Sequence, residues 1–260
     1  MMNFFKNIIQ KLIALLLIII TFPIQIIIFI LILLELKEFP LFFQKRGLTI
    51  EKNLFRIIKF KTISSKDSKI IQHKNSDDIF YLNKKIKIKP ISKFLRLTGL
   101  DELPQLYNIL IGDMNFIGPR PLMIEELNIL KKNYLSFYNI RNTISSKPGL
   151  TGLWQIIGDR KNGIDELVGL EMFYERHRSV KLNLKIIYYS LVLNLTANNS
   201  DALIPRLEYI SKFSSMKINK FKLNYEIHNK MNYSFYINLP VNWLNSNFSL
   251  GSTYKMIRVN

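Results

Sequence analysis

The stretch LTGLDELPQLYNILIGDMNFIGPRP, residues 97 to 121, decides how the chain around it folds. Its centre predicts a short helix from Leu103 to Ile111, because the residues there are mostly apolar and Pro104 is tolerated in a first helical turn. Asp101 and Glu102 stand directly before this helix. Acidic side chains at a helix start satisfy unpaired amides and favour the dipole, and the same dipole keeps a carboxylate ionised. A structural cap and a reactive pair are both open interpretations.

Arg120 closes the stretch and lies between two prolines. The prolines restrict the backbone of the arginine, so its guanidinium has little entropy left to lose on binding. A guanidinium suits bidentate contact with phosphate. Arg96 and Lys59, the latter in the motif KFKT, are further candidate phosphate ligands. The alternative for Arg96 and Lys59 is a solvated surface charge, and for Arg120 it is a rigid turn.

Downstream of this stretch the pattern predicts a mainly helical chain. Pro121 can open a helix that continues to about Phe137. Residues 147–158 are then predicted to form a loop that contains several glycines. A polar helix from Asp165 to Arg178 and a further helix from Leu182 to Leu195 are predicted after it. The last helix is apolar nearly all round, so it is either buried or lies in a membrane interface. Near the C-terminus, residues 221–239 alternate like strands.

Upstream, short extended elements are predicted between the N-terminus and the central stretch. Residues 42–63 have apolar positions that suit half-buried strands, and residues 64–79 are polar and read as a loop. After Pro90 the pattern becomes helical. Between Lys84 and Arg96 there are six basic residues and no acids.

The first forty residues carry the strongest compositional signal. From Leu12 to Leu34 there is no charge, and the run is long enough to span a bilayer, which takes roughly 20 residues. Pro23 lies at its middle, where a proline removes a backbone hydrogen bond and kinks a helix. Each arm then measures about 16 Å, roughly half of a hydrocarbon core of about 30 Å.

Basic residues flank this apolar run on both sides: Lys6 and Lys11 before it, and Lys37, Lys45 and Arg46 after it. The flanks therefore give no clear charge asymmetry. A helix that enters the bilayer, bends at its proline and returns to the same face fits both observations. A kinked transmembrane helix, which also tolerates proline, is the alternative.

Composition narrows the possible functions. The net charge of +18 over 260 residues favours nucleic acid, an anionic membrane surface or a phosphorylated substrate as partner. The chain has no cysteine, which excludes disulfides, thiolate metal sites and cysteine nucleophiles. With three scattered histidines, a zinc cluster is not expected. The basic segment KKIKIKP lacks the stacking aromatics of a single-strand nucleic-acid site, so no nucleic-acid partner is expected.

Three segments stand behind the hydrophobic N-terminus: KFKT, LTGLDELPQLYNILIGDMNFIGPRPL and KPGLTGLWQIIG. Together they resemble the bacterial sugar transferase family, the polyprenyl-phosphate phosphoglycosyl transferases with a monotopic membrane anchor. The resemblance runs from about residue 5 to 196, and the DELPQL…GDM…GPRP block is highly specific. It implies an α/β fold, mostly helical with a few short strands. A re-entrant membrane helix would occupy residues 1–40, a membrane-associated catalytic domain 41–196, and an extension of unassigned role 197–260.

The resemblance also implies a reaction. A phosphosugar passes from a nucleotide diphosphate sugar, usually a UDP-sugar, to polyprenyl phosphate, and UMP leaves. Asp101 would be the nucleophile, Glu102 would bind Mg²⁺, and Lys59, Arg96 and Arg120 would lie in the site. The implied location is the cytoplasmic face of the bacterial inner membrane, at the first step of surface glycan assembly, for example of capsule or lipopolysaccharide. Membrane lipid is a further expected partner, and a homodimer is compatible with the resemblance.

Three positions depart from the usual pattern of this family. Phe22 stands before the membrane proline, where a serine is frequent; Asn183 replaces an aspartate; and Gly47 follows Arg46 without an intervening residue. Asn183 keeps open the alternative of a non-catalytic, membrane-anchored interaction protein derived from the same family.

Overall fold

The computed structural model describes residues 2–67, 88–158, 163–196, 218–227, 231–240 and 256–259. The predicted mixture of many helices and a few short strands is confirmed in these ranges. The helices are α1 Met2–Leu36, α2 Pro90–Thr98, α3 Gln105–Ile111, α4 Ile124–Asn133, α5 Leu135–Thr143, α6 Leu153–Ile157, α7 Gly163–His177 and α8 Val180–Leu195. The strands are β1 Leu41–Gly47, β2 Phe55–Phe60, β3 Asn115–Ile117, β4 Leu122–Met123, β5 Gly149–Thr151, β6 Ile218–Ile227, β7 Met231–Pro240 and β8 Met256–Val259.

The strands form three small sheets. β1 pairs antiparallel with both β2 and β4, and β3 pairs parallel with β5. The β3–β5 pairing sets Asn115 opposite Gly149 and Ile117 opposite Thr151, so it brings the central stretch against the KPGLTG segment. β6 is the middle strand of a C-terminal antiparallel sheet, between β7 and β8, and β7 lies against α7.

The main core surrounds α7. Leu167, Val168, Leu170 and Phe173 are almost fully buried there, together with side chains from α4 to α8. The sequence predicted the position of this polar helix within two residues but did not predict its burial. Two of its acidic residues, Glu171 and Glu175, pair with partners inside the protein.

Helix α1 is part of the core as well as a long apolar element. Ala14 and Ile18 pack in one cluster against β2 and α3, and Ile28 and Ile32 pack in another with Phe60 and Leu95. Its other large apolar side chains are mostly exposed. From Phe5 to Leu36 its mean hydropathy is 3.1, and by length and composition it could cross a membrane. One face of α1 thus packs against the domain, and the rest of its surface is apolar and exposed.

Polar contacts tie both ends of α1 to the same domain. Near its start, the Gln10 amide donates to Asn115 Oδ1 (3.3 Å) and accepts from the backbone nitrogen of Phe116 (3.2 Å). Near its end, Glu35 accepts from the backbone nitrogens of Ile91 (2.8 Å) and Ser92 (3.0 Å). Glu35 therefore caps the first turn of α2, which has no side-chain cap of its own.

Pro23 lies inside one uninterrupted helix, and the hairpin remains a prediction. The structure adds a polar pair beside the proline: the Thr21 hydroxyl donates to the carbonyl of Leu17 (2.7 Å), and the Gln25 amide donates to Thr21 (3.0 Å). A threonine bonded four residues back tends to bend a helix, so Thr21, like Pro23, favours a bend in α1.

Two predicted elements are wrong. The helix expected from Pro121 begins only at Ile124, because Leu122 and Met123 pair with β1, and it breaks at Tyr134. The loop expected at 147–158 contains β5 and α6, since residues 149–151 pair with β3. In both cases the residues form a strand because they pair with a strand distant in sequence. Most of the loop predicted at 64–79 and much of the basic segment before Pro90 lie outside the described residues.

Candidate active site

A cleft of about 1320 Å³ opens between α1, β2, the segment around Asp101 and α8. All five site residues predicted from the sequence line it: Lys59, Arg96, Asp101, Glu102 and Arg120. They come from β2, α2, the turn before α3 and the proline-flanked segment before β4, so the fold brings together residues up to about sixty positions apart. Their chemical roles stay predictions.

The two acids lie in a tight 3-10 turn from Leu100 to Glu102. Gly99 precedes the turn with φ of 69°, a left-handed conformation that favours glycine and ends α2. Asp101 is 9% exposed, at the floor of the cleft, whereas the Glu102 side chain is 31% exposed. Adjacent residues in a turn diverge, so one carboxylate is held within the protein and the other reaches toward solvent.

Lys59 forms an ion pair with Glu102. Its Nζ lies 2.5 Å from Glu102 Oε1, and both side chains are largely shielded from solvent. The sequence predicted both residues in the site but not their pairing. The ion pair fixes the orientation of Glu102 and keeps an ammonium group beside the two acids.

Arg120 is held mainly through its backbone. Its N–H donates to Glu171 Oε1 (2.9 Å), and its carbonyl accepts from Arg141 Nη2 (2.8 Å). The guanidinium carbon lies 5.1 Å from the centre of the Trp154 ring, within cation–π range. Its Nε is buried and has no hydrogen-bond partner in the described part of the chain. The side chain is therefore left available to a ligand while the backbone is fixed.

Arg141 and Glu171 form a buried ion pair beneath Arg120, and sequence reasoning missed both residues. Arg141 is 0% and Glu171 is 2% exposed at the side chain. Arg141 Nε also donates to the carbonyl of Leu48 (3.0 Å). Burial raises the pKa of Glu171 above its ordinary value, and the attraction of Arg141 opposes this rise. No local pattern signals the pair, because its members lie 30 residues apart on different helices.

Close backbone packing also fixes the Arg120 segment. A Cβ on Gly149 would collide with the backbone nitrogen of Gly118, and one on Gly118 would collide with the carbonyl of Lys147. Only glycine lets the two segments approach this closely. This requirement explains why both motifs, GPRP and KPGLTG, contain glycine at these positions.

Comparison with known proteins identifies the family of the chain. Residues 1–197 match the family model described as "Bacterial sugar transferase". The chain belongs to the bacterial sugar transferase family.

Of three relatives of this bacterial sugar transferase, two are named as transferases, and the third is named for exopolysaccharide production. "Galactosyl transferase CpsE" of Streptococcus agalactiae is 35% identical over 163 residues, 58% of this chain and 34% of that relative. A "UDP-glucose:undecaprenyl-phosphate glucose-1-phosphate transferase" of Klebsiella pneumoniae is 32% identical over 159 residues, 58% of this chain and 32% of that relative. "Exopolysaccharide production protein ExoY" of Sinorhizobium fredii is 31% identical over 160 residues, 58% of this chain and 68% of that relative. The matched segment is thus about a third of the first two relatives.

The electrostatics of the bacterial sugar transferase cleft favour an anion. Besides the three predicted cations, it is lined by Lys6, Arg46 and Lys61. Arg46 Nη1 donates to the carbonyl of Pro121 (3.3 Å), and Lys61 lies 3.0 Å from Glu38. Among the acids that line it, Glu126 is occupied in capping α4, where it accepts from the backbone nitrogen of Met123 (2.7 Å). Basic groups therefore outnumber available acids.

The donor set fits Mg²⁺ bound jointly with a substrate. No group of three or more acidic or histidine side chains able to hold a metal occurs among the described residues of this bacterial sugar transferase. Mg²⁺ in phosphoryl-transfer sites is commonly bound by one or two carboxylates, with water and substrate phosphate completing its shell. Glu102, which reaches into the cleft beside Asp101, supplies such a carboxylate.

Asn183 also lines the cleft of this bacterial sugar transferase. Its Oδ1 accepts a hydrogen bond from the Tyr174 hydroxyl (3.1 Å). Burial raises the pKa of Tyr174 to about 12, so the hydroxyl stays protonated at neutral pH and remains a donor. The carbonyl oxygen of the asparagine side chain thus has a protein partner at the wall of the cleft.

Proposed function

We propose that this bacterial sugar transferase transfers a phosphosugar from a UDP-sugar to polyprenyl phosphate, giving polyprenyl-diphosphate-sugar and UMP. The observation that supports this most is the position of Asp101 and Glu102 in one cleft with Lys59, Arg96 and Arg120. A buried carboxylate beside several cations suits attack on a diphosphate. Relatives named as an undecaprenyl-phosphate glucose-1-phosphate transferase and an undecaprenyl-phosphate galactose phosphotransferase support the same reaction.

The reaction proceeds in two displacements. A carboxylate oxygen of Asp101 attacks the phosphorus that bears the sugar, and the bond from that phosphorus to the bridging oxygen of UMP breaks. UMP leaves with the electron pair. An oxygen of polyprenyl phosphate then attacks the same phosphorus, and the Asp101 carboxylate is released. One nucleophile can thus serve a soluble substrate and a membrane substrate in turn.

The other side chains bind and orient the substrates. Arg120, whose backbone is fixed by Glu171 and Arg141, presents its guanidinium to the phosphates. Lys59 and Glu102 hold each other in place at the edge of the reacting group. Glu102 would hold Mg²⁺, which when bound neutralises charge on the diphosphate oxygens. Preorganised positive groups of this kind stabilise the charge of phosphoryl transfer.

The composition of the cleft walls supports a lipid acceptor. Ile13 and Leu17 of α1 and Ile187 and Leu191 of α8 line the cleft as well. α8 also carries an exposed apolar stripe at helical spacing, formed by Val180, Leu184, Tyr188, Leu191 and Leu195. Such a stripe suits the interfacial region of a bilayer. The reacting groups would then lie near the membrane surface, within reach of a lipid phosphate.

A re-entrant anchor is part of this proposal. Gln10 and Glu35 both contact the folded domain, and they are separated by about 38 Å of helix at 1.5 Å per residue. A hydrocarbon core is only about 30 Å thick. If α1 crossed it, part of the polar domain would lie beside it within lipid, which is unfavourable. A bend at Pro23 and Thr21 would keep both ends on one side.

The half-reaction without lipid tests the mechanism. Full-length protein is mixed with Mg²⁺ and each of a panel of UDP-sugars, without polyprenyl phosphate. With the accepted donor it should release UMP stoichiometrically and gain the mass of one phosphosugar. The adduct should map to the peptide containing Asp101 and be labile to hydroxylamine, as acyl phosphates are. Asp101→Asn should form none.

Two results would contradict the proposal in different ways. If the complete reaction runs while no adduct forms, the adjacent acids are a metal site for direct transfer between the substrates. If no donor gives UMP even with polyprenyl phosphate present, the protein is a non-catalytic member of its family.

A further inference from the structure

We propose that Gln105 is a substrate-binding residue that donates a hydrogen bond to a non-bridging oxygen of the transferred phosphoryl group. This inference rests on the proposed function, since it names a contact to the group that the reaction moves. The residue lies at the first position of α3, four residues after Asp101, and lines the same cleft.

The first observation is an unpaired buried donor. Gln105 is 2% exposed, and its Nε2 is buried without a hydrogen-bond partner in the described residues. More than about 90% of buried polar groups in proteins are paired, and leaving one unpaired is unfavourable. The sequence could have placed an apolar residue of the same volume here at no such cost. A ligand that completes the hydrogen bond explains why an amide is present.

The second observation is a matched amide on the same helix. Asn108 is 1% exposed, and its side chain is fully engaged. Its Oδ1 accepts from the backbone nitrogen of Ile58 (3.0 Å), and its Nδ2 donates to the carbonyl of Arg56 (2.8 Å) and to Asp113 Oδ2 (3.2 Å). The protein itself therefore satisfies the hydrogen bonds of one buried amide on α3. Gln105 differs from Asn108 because it lines the cleft.

The third observation is the position of Gln105 relative to the nucleophile. Leu103 and Pro104 have right-handed helical backbone angles, and the chain from Leu100 to Ile111 makes continuous turns. Side chains three or four residues apart along such a backbone are neighbours. The phosphoryl group is bonded to Asp101 midway through the reaction, so its oxygens lie within the neighbourhood of residue 105. A neutral amide donor suits a non-bridging oxygen, which carries charge throughout.

The contact predicts a particular kinetic pattern. The transferred phosphoryl group takes part in both displacements, whereas UMP takes part only in the first and the lipid only in the second. Gln105→Met, which keeps the volume and removes the donor, should slow both half-reactions roughly 10- to 100-fold, as loss of a hydrogen bond to a charged group does. The loss should be similar for every UDP-sugar that the protein accepts.

The experiment compares Gln105→Met with Asn108→Leu in the full chain. Burst release of UMP and discharge of the isolated adduct onto polyprenyl phosphate give the two rates, and thermal unfolding without substrate gives the Tm. Gln105→Met should keep or raise the Tm, because an unpaired donor is removed, while both rates fall. Asn108→Leu should lower the Tm, because paired groups are lost, with unchanged rates per folded molecule.

Each other outcome overturns the inference. If Gln105→Met lowers the Tm and its rates fall only with the folded fraction, Gln105 is structural. If only one half-reaction slows, or if the loss depends on the sugar, the contact is to UMP, lipid or sugar and not to the phosphoryl group. If wild-type protein forms no adduct, the proposed function fails and this inference fails with it. Normal adduct formation by both wild type and Gln105→Met rejects only the role of Gln105.

Discussion

Among single residues, Glu102 is paired with Lys59, whose Nζ lies 2.5 Å from its carboxylate. The proposed Mg²⁺ would use the same carboxylate and would therefore compete with Lys59 for it. A Lys59 ammonium displaced in this way would be free to contact phosphate, so the ion pair would couple the proposed metal binding to substrate binding.

Replacement of the two acids should separate their roles. Glu102→Gln should impair turnover severely but recover part of it as Mg²⁺ is raised, because a weakened ligand is compensated by mass action. Asp101→Asn should lose more than the roughly 2 to 4 kcal/mol typical of one electrostatic stabiliser, and no Mg²⁺ concentration should restore it. UMP release measured over a Mg²⁺ titration checks both. Equal recovery of the two variants would show that Asp101 is a metal ligand too.

The buried pair beneath Arg120 should be important for stability as well as for position. Arg141→Met leaves Glu171 buried without its charged partner, which typically costs about 3 to 5 kcal/mol. The double variant Arg141→Met/Glu171→Met should be less destabilised than the single one, because no unpaired charge remains. Denaturant unfolding of the three proteins measures this. A double variant that is less stable than Arg141→Met would contradict the interpretation.

The sequence predicted the site residues that stand in or beside a recognisable motif: Lys59 in KFKT, Arg96 directly before the central stretch, and three residues within that stretch. Asp101, Glu102 and Arg120 belong to one recognisable stretch, and their shared cleft follows from the fold of that stretch. Arg141 could not be predicted, because a buried arginine looks the same in sequence as an exposed one. Its function depends on Glu171, whose neighbourhood is fixed only when α5 and α7 pack together.

For the helices and strands, elements set by local sequence pattern were predicted, and elements that depend on a distant partner were not. α2, α7 and α8 follow local periodicity and were predicted within a few residues. β4 and β5 were missed, because each is three residues or fewer and exists through a partner strand distant in sequence. The C-terminal strands β6 and β7 were predicted from their alternation.

Helix α7 supports two segments of the site from adjacent turns. Glu171 binds the backbone of Arg120, and Glu175, one turn later, accepts hydrogen bonds from Ser145 and Ser146 before the KPGLTG segment. Burial alone would raise the pKa of Glu175, but the hydrogen bonds from these two serines outweigh it and the pKa is lowered.

The lowered pKa of Glu175 gives a pH-dependent contribution to stability. The ionised carboxylate stabilises the fold fully above the pKa of an unfolded glutamate, about 4.3, and this contribution is lost as the pH falls toward the lower folded value. Wild type should therefore be more stable than Glu175→Gln at neutral pH, and the difference should shrink below about pH 4. Thermal unfolding across this range measures the difference. A gap that widens in acid would contradict the assignment.

At the scale of the whole molecule, the position of the anchor can be tested in cells. The chain has no cysteine, so Asn3→Cys and Lys132→Cys each introduce a single label site. A re-entrant anchor predicts that an impermeant thiol reagent outside intact cells labels neither. Labelling of only the Asn3 site would establish a spanning helix. Pro23→Ala, which restores the missing hydrogen bond, should shift the protein toward that pattern.

The C-terminal sheet should be dispensable for chemistry but not for stability. The family match ends at residue 197, and no predicted site residue lies beyond it. Because β7 lies against α7, truncation after Ser200 should lower the Tm through that helix while the folded protein keeps its UMP release. A folded but inactive truncation would show that the sheet completes the site.

The contacts that bind α1 to the domain have a consequence for biosynthesis. Gln10 pairs with Asn115, a residue 105 positions later, and ribosomes need roughly 5 to 20 s to add that many at about 5 to 20 residues per second. The proposed anchor would therefore be available for insertion into lipid well before its polar partners are synthesised. Insertion would then precede folding of the domain, which would assemble against a helix already positioned at the bilayer.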